Sequence, residues 1–345
     1  MFDNFRIGIT RSLLDKDGSL GNRDIGLDLL DANPKIDWEF MDKDPIQLDS
    51  GLIQKYDGIL VGGRQVTEST LRDVEKLTLV SLFGAGYDVV DIDACTKAGV
   101  IVTTAPDGVK RPVASSFMAY ILALSHKMFQ KDRITREGLW EQRQIELGVG
   151  LKGRTLGLIG LGNIGRELLN LAKPFEMKHI AYDPYVSYEN STESGAELCD
   201  LEEVLRSADF LCISCPLNND TYHLIDEEKL RMMKPSAFLI NVARGPIVDQ
   251  KALTKILKEG RIQGAGIDVF EQEPIDIDDP ILTLDNVIFS PHNICMTDQC
   301  WRNIGEGAIR SILQVSEGKV PEYLVINKDV LENPKFQQKL RRFGQ

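Results

Sequence analysis

A chain of 345 residues, 43% hydrophobic and 27% charged, is long enough for two domains with their own cores, and its composition excludes a disordered or fibrous protein. Forty Lys and Arg stand against 52 Asp and Glu, and the net charge of −12 argues against a general nucleic-acid or anionic-membrane surface. The opening MFDNFRIGIT lacks the basic start and long apolar run of a secretory signal, and the longest mainly apolar stretch, Val113 to Leu124, is too short to span a bilayer, so a cytoplasmic location is expected.

In chain order, short β-rich runs alternate with amphipathic stretches, the pattern of βαβ units and parallel sheets. The first set of strands is FRIGIT (5–10), IDWEFM (36–41), GILVGG (58–63), LTLVSLF (77–83) and VIVTTA (100–105), with helical patterns over Asp24 to Leu30 and Asp91 to Lys97. A long helical region follows from Pro112, which suits a helix's first turn, to about Arg143. The second set is TLGLIGLG (155–162), HIAYD (179–183), FLCISC (210–215), AFLINVA (237–243), QGAGIDV (263–269) and NVIFSP (286–291). A last helix covers roughly Asp298 to Glu317, and a polar tail closes the chain. The fold class is α/β, with two doubly wound parallel-sheet domains. A helix returning after the second set can rejoin the first domain and make it discontinuous. Cys212 and Cys215 form a Cys-x-x-Cys on a buried strand, where positions three apart face opposite ways, and read as small core residues.

Ligands of such folds bind beyond the carboxyl ends of the strands, and the polar residues there carry the chemistry. Gly160, Gly162 and Gly165 form G-x-G-x-x-G between a strand and a helix, the context of a dinucleotide fingerprint. The first permits a tight turn, the second lets backbone approach a pyrophosphate, and the third allows close helix–strand packing. Asp183 ends the next strand 18 residues past Gly165, where a carboxylate accepts ribose hydroxyls and repels a 2′-phosphate, favouring NAD over NADP. Of four histidines, His126, His179 and His223 read as structural or surface residues, whereas His292 follows a strand at its carboxyl end. Arg244 and Glu273 end or follow two other strands. Singly they read as a loop His, a cap and a surface ion pair; together they read as one catalytic set.

The motifs GLGNIG with Asp183, NVARGPIVD, DVFEQEP and SPH, in this order, resemble the D-isomer-specific 2-hydroxyacid dehydrogenase family, which includes glyoxylate/hydroxypyruvate reductases and phosphoglycerate dehydrogenases. The resemblance covers about residues 55–315. It implies an NAD-binding Rossmann domain over residues 105–297 inserted into a flavodoxin-like substrate domain built from 1–104 and 298–345, and a homodimer built through the cofactor domain. It implies Arg244 as the substrate-orienting arginine, Glu273 as the carboxylate partner and His292 as the acid–base residue. Asn163, Ile164, Pro216, Thr221 and Ala243 join the three glycines and Asp183 as cofactor contacts, and Asp268 receives the nicotinamide amide. Ala85 and Gly86, with Gly63, supply backbone donors to the substrate beside Arg244 and His292. The chemistry implied is interconversion of a small 2-oxo acid and its D-2-hydroxy acid by hydride transfer. NAD-sensing corepressors share this architecture and are the alternative reading.

Three stretches depart from the family pattern. Gly86-Tyr87-Asp88-Val89-Val90-Asp91 lacks the usual Asn, Ser115 stands where a Glu is usual in Val113-Ala114-Ser115, and Asn293-Ile294-Cys295-Met296 follows His292. In phosphoglycerate-oxidising relatives an Arg after the third strand grips the distal phosphate; here Val61-Gly62-Gly63 offers no cation. The substrate tail is therefore expected to be small and uncharged, unless Arg64, Lys110 or Arg111 holds a second anionic group.

Overall fold

The computed structural model describes residues 4–144, 147–187, 195–321 and 324–344. Its strands are β1 (Phe5–Ile9), β2 (Ile36–Phe40), β3 (Gly58–Val61), β4 (Leu79–Leu82), β5 (Ile101–Thr103), β6 (Thr155–Ile159), β7 (Lys178–Tyr182), β8 (Glu197–Leu198), β9 (Phe210–Ile213), β10 (Phe238–Asn241), β11 (Gly264–Ile267) and β12 (Val287–Phe289). The helices that matter below are α1 (Ile92–Ala98), α2 (Pro106–Ser125), α3 (Met128–Arg136), α4 (Asn163–Ala172), α5 (Gln250–Lys258), α6 (Asp298–Ser316) and α7 (Pro334–Leu340). The chain divides into two compact units, residues 1–109 with 296–345, and residues 110–295.

Each unit is built on one parallel sheet, as the alternating pattern predicts. The first has five strands in the order β2-β1-β3-β4-β5, and the second has seven in the order β12-β11-β10-β9-β6-β7-β8. Strands covered on both faces read as continuous apolar runs, and every residue of β3 and β4 is buried. In the second unit the two-residue period of a strand sorts side chains into two cores. Leu211, Ile213 and Leu239 join the layer with Leu253, Ile256 and Leu257 of α5. Phe210, Cys212 and Ile240 join the layer with Phe117 and Ile121 of α2 and Leu168 and Leu169 of α4. Cys212 and Cys215 thus pack into opposite layers.

The structure corrects three helical expectations. Over Asp24–Leu30 only a single turn, Asp28–Asp31, forms. Asp24 Oδ1 accepts the Gly26 N–H at 2.8 Å, and Gly26 sits at φ +79°, a left-handed corner that no helix continues through. Helix α2 begins at Pro106 rather than Pro112, which lies inside it. The proline has no N–H to give the Gly108 carbonyl, and the Cys300 thiol lies 4.0 Å from that oxygen. The helix also stops at Ser125 instead of running to Arg143. A returning segment packs against its end, and Val149 N–H takes the Ser125 carbonyl at 2.8 Å, the acceptor a longer helix would need. Lys127 turns left-handed at φ +51° before α3 starts.

The polar tail is not a loose end. Val325 makes an antiparallel bridge to Thr103 on the edge strand β5, and Ile326 N–H donates to Val102 O at 2.9 Å. Buried Asn327 completes the contact: Oδ1 accepts from Val102 N–H at 2.9 Å, and Nδ2 donates to Val100 O at 2.9 Å and Thr96 Oγ1 at 3.1 Å. Lys339 of α7 buries its ammonium stem and donates to Leu77 O and Ala98 O at 2.8 and 2.9 Å; burial pulls its pKa down to about 8. Ser81 of β4 donates to Ala308 O of α6 at 3.0 Å, tying that helix to the sheet.

Asn327→Ala leaves the Val102 N–H and Val100 carbonyl buried without side-chain partners, so a loss of about 2–4 kcal/mol is expected in urea unfolding. A change below about 0.5 kcal/mol would show that water replaces the amide and that the tail is not a structural clasp.

Candidate active site

The dinucleotide fingerprint lies where the order of the larger sheet reverses, between β6 and β9. Gly160, at φ +98°, makes the turn out of β6, and a Cβ there would lie 2.7 Å from Cys215 N. The Ser214 hydroxyl donates to Gly160 O at 2.6 Å. Gly162 faces open space where a side chain would project, and no side chain caps α4 behind it. The N-terminal amides of α4, beginning with Asn163 and Ile164, are therefore uncapped by protein side chains, at the positive end of the helix. Gly165 lies so close beneath the turn that a Cβ would sit 2.7 Å from Gly160 O.

Asp183 follows β7. Its Oδ2 accepts the Leu161 N–H at 2.8 Å and its Oδ1 the Tyr185 N–H at 2.9 Å, which leaves a carboxylate's remaining lone pairs for hydroxyl donors. In the loop after β9 the Thr221 hydroxyl donates to Pro216 O at 2.7 Å and accepts from Asn218 N–H at 2.8 Å, closing a compact turn. Asp268, buried after β11, takes Asn293 N–H at 3.0 Å and Ile294 N–H at 3.2 Å on Oδ1. No described residue donates to its Oδ2, which suits an amide donor such as a carboxamide. An open glycine, an uncapped helix start and two carboxylates with spare acceptor positions fit a nicotinamide dinucleotide.

Beside them stand three charged side chains from three strand ends. Buried Asn241 ends β10 and fixes the bend that follows, donating to Arg244 O at 2.9 Å and accepting from Ala243 N–H at 3.1 Å. Arg244 Nη1 donates to Ala243 O at 2.8 Å. Glu273 Oε1 accepts the Phe270 N–H at 3.0 Å, and its Oε2 meets His292 Nδ1 at 2.6 Å. His292 sits at φ +54°, with its N–H on Asp268 O at 2.7 Å. With Nδ1 committed to Glu273, Nε2 is the ring atom left for a ligand.

The electrostatics are asymmetric. The hydrogen bond His292 donates to the Glu273 carboxylate raises the His292 pKa above its ordinary value, against opposition from burial and from the Arg244 charge. Burial pushes Glu273 upward, but the bonds from His292 and Phe270 N–H, with the charge of Arg244, leave its carboxyl below the usual range. The pair is therefore carboxylate and imidazolium over a wider pH range than either group alone.

In the smaller unit, Gly63 (φ +60°) follows β3, and Ala85 and Gly86 follow β4. None of their three N–H groups has a hydrogen-bond partner among the described residues. The nearby cations are committed: Arg64 makes a two-pronged pair with Asp44. In the larger unit Arg111 binds Glu167 at 2.6 Å, and Lys110 lies 4.0 Å from the same carboxylate.

Two features escaped the sequence reading. Asn241 looked like one more residue of an apolar strand, although an Asn at a buried strand end signals a bend. His223, read as structural or surface, pairs through Nε2 with Glu271 Oε1 at 2.9 Å, and nothing in TYHLI announces that contact.

Residues 118–293 match the model of the D-isomer specific 2-hydroxyacid dehydrogenase NAD binding domain. The chain belongs to that family. It is 39% identical over 273 residues to a glyoxylate reductase of Thermococcus litoralis, covering 77% of this chain and 82% of the relative. It is 38% identical over 268 residues to a D-3-phosphoglycerate dehydrogenase of Methanocaldococcus jannaschii, covering 77% of this chain and 51% of that one. Among solved structures, D-lactate dehydrogenase of Aquifex aeolicus, complexed with NAD and lactic acid, superposes with a TM-score of 0.82 at 27% identity, covering 93% and 99% of the two chains. As a D-2-hydroxyacid dehydrogenase the protein is an oxidoreductase using a nicotinamide cofactor. Among the described residues of this dehydrogenase no helix is long and apolar enough to cross a membrane.

Glu273→Gln removes the negative charge that holds the proton on His292. The His292 pKa should fall, so that the imidazolium is lost at lower pH. Titration of the His292 ring by NMR reads this directly, and an unchanged midpoint would break the pairing.

Proposed function

We propose that the protein reduces a small 2-oxo acid to the D-2-hydroxy acid, with Arg244 orienting the substrate and His292, backed by Glu273, moving the proton. The observation that carries this reading is the 2.6 Å contact between His292 Nδ1 and Glu273 Oε2, with the Arg244 charge acting on both. A reduced nicotinamide, when bound, supplies the hydride. His292 Nε2 donates its proton to the carbonyl oxygen as the carbon is reduced, and Glu273 keeps the ring charged until then. A guanidinium at Arg244 grips the carboxylate in two prongs while polarising the neighbouring ketone. In the oxidative direction neutral His292 accepts the hydroxyl proton.

For the cofactor we assign Gly160, Gly162, Asn163, Ile164 and Gly165 to the pyrophosphate, and Asp183 to the ribose hydroxyls. Pro216, Thr221 and Ala243 line the same strand ends, and Asp268 takes the carboxamide. The carboxylate of Asp183 repels a 2′-phosphate, so NAD is the preferred form. This assignment makes residues 105–297 the cofactor domain and 1–104 with 298–345 the substrate domain. The unpaired N–H groups of Gly63, Ala85 and Gly86 are assigned to the substrate's carboxylate. Because Arg64, Lys110 and Arg111 already hold carboxylates, the tail is small and uncharged, as in glyoxylate or hydroxypyruvate. We also propose a homodimer through the cofactor domain. Met128, Phe129, Trp140 and Leu147 expose large apolar surface on one segment of it, which burial against a second copy would cover.

One kinetic panel tests the reading. Glyoxylate and hydroxypyruvate should oxidise NADH with kcat/KM well above that of phosphohydroxypyruvate, and His292→Ala should lose most turnover while still binding NADH. Arg244→Lys keeps the charge without the planar fork and should lose substrate affinity and rate together. Asp183→Ala should narrow the preference for NADH over NADPH. Wild-type kinetics in Arg244→Lys, or a preference for phosphohydroxypyruvate that Arg111→Ala abolishes, would overturn the assignment. Light scattering should give twice the mass of one chain, and a monomer at micromolar concentration would refute the dimer.

A further inference from the structure

The loop after β11 carries two glutamates two residues apart, and each holds a histidine. Glu273 holds His292, and Glu271 Oε1 meets His223 Nε2 at 2.9 Å. Both histidines occupy left-handed backbone, at φ +54° and +48°, a conformation uncommon outside glycine and sustained only where surrounding bonds enforce it. The bonds around His223 are explicit. Its N–H donates to Pro246 O at 2.8 Å, Ile225 N–H donates to Ile247 O at 3.0 Å, and Asp249 N–H returns to Ile225 O at 3.0 Å. The segment 223–225 is thus laced to the turn that directly follows Arg244.

Glu271 is the other anchor. Its Oε1 also accepts the Gln250 N–H at 2.9 Å, and Gln250 Oε1 accepts the Glu271 N–H at 3.1 Å. Gln250 Nε2 extends the chain to Asp279 Oδ2 at 2.8 Å. Between the anchors the backbones touch: a Cβ on Gly245 would lie 2.0 Å from both the carbonyl carbon and oxygen of Phe270. Phe270 in turn gives its N–H to Glu273. The ring of Tyr222 stacks on His223, 4.2 Å from centroid to centroid.

We infer that His223 and Glu271 form a positioning clamp, which fixes the Arg244 turn against the Glu273 loop and so sets the distance between the substrate-orienting cation and the acid–base pair. The clamp is assigned no contact with substrate, its side chains being bonded to each other and to Gln250. It acts by holding two short loops in register, where a shift of about 1 Å costs on the order of 100-fold in rate. The inference rests on the catalytic roles proposed above for Arg244, Glu273 and His292.

The test compares His223→Ala, Glu271→Ala, the double variant and His223→Gln, whose amide can still donate to Glu271. NADH binding, read by fluorescence titration, counts intact cofactor sites and normalises the rates. His223→Ala should keep NADH affinity within about threefold while kcat/KM for glyoxylate falls about 10- to 100-fold. The alkaline limb of the reduction profile should move to lower pH, because a loosened Glu273 holds the His292 proton less firmly. The double variant should be no worse than the poorer single one, and His223→Gln should recover most of the loss. A His223→Ala enzyme within threefold of wild type overturns the clamp, as does a rate loss that tracks lost NADH sites with an unmoved pH limb. The roles of Arg244 and His292 are judged separately: if His292→Ala keeps wild-type turnover, that reading fails, whereas its inactivity beside an unaffected His223→Ala removes the clamp alone.

Discussion

A parallel sheet covered on both faces leaves chemistry one place to go. Its strand interiors are apolar and its ladder groups are paired, so polar side chains can be placed at low cost only where strands end. In the larger unit this constraint puts the glycine turn, Asp183, Arg244, Asp268, Glu273 and His292 at successive carboxyl ends of β6, β7, β10, β11 and β12. The side chains do not position themselves. Asn241 bends the chain at Arg244, Asp268 gathers the amides after His292, and Gly245 lets two loops meet at backbone distance. The charged side chains of the candidate site thus rest on backbone bends fixed by hydrogen bonds and close packing around them.

Electrostatics then follow from pairing. The chain carries a net charge of −12, yet the cations that look available near strand ends are already engaged: Arg64 by Asp44 and Arg111 by Glu167. Glu273 stays charged in a half-buried position because His292 and a backbone N–H both point at it. Exposed pairs elsewhere, such as Arg136 with Asp132, contribute little by comparison.

The strands were legible because a buried parallel strand is a short apolar run with few alternatives, and each of the eleven runs named from the sequence overlaps one. The glycines and the three charged site residues were legible because each follows such a run. The helices were less so. Apolar periodicity continues past Ser125, but it cannot reveal that Val149 takes that residue's carbonyl. The two-residue β8 (Glu197–Leu198) is too short to leave a pattern. The pairing of His223 escaped for a different reason. Its partner, Glu271, lies 48 residues away, and local sequence holds no record of so distant a contact.

The clasp on β5 has a consequence for synthesis on the ribosome. Residues 1–109 emerge with the edge of their sheet bare, and the segment that covers it, Leu324 to Asn327, comes after the whole of the larger unit. At about 5–20 residues per second the delay is roughly 10–40 s, long enough for the later-born unit to fold first. During that wait Val102 offers an unmade ladder bond and β4 lacks the helix that Ser81 will tie down. An open, apolar parallel edge is the kind of surface that pairs with another nascent chain. The order of the chain thus leaves β5 without its cover until residues 324–327 have been made.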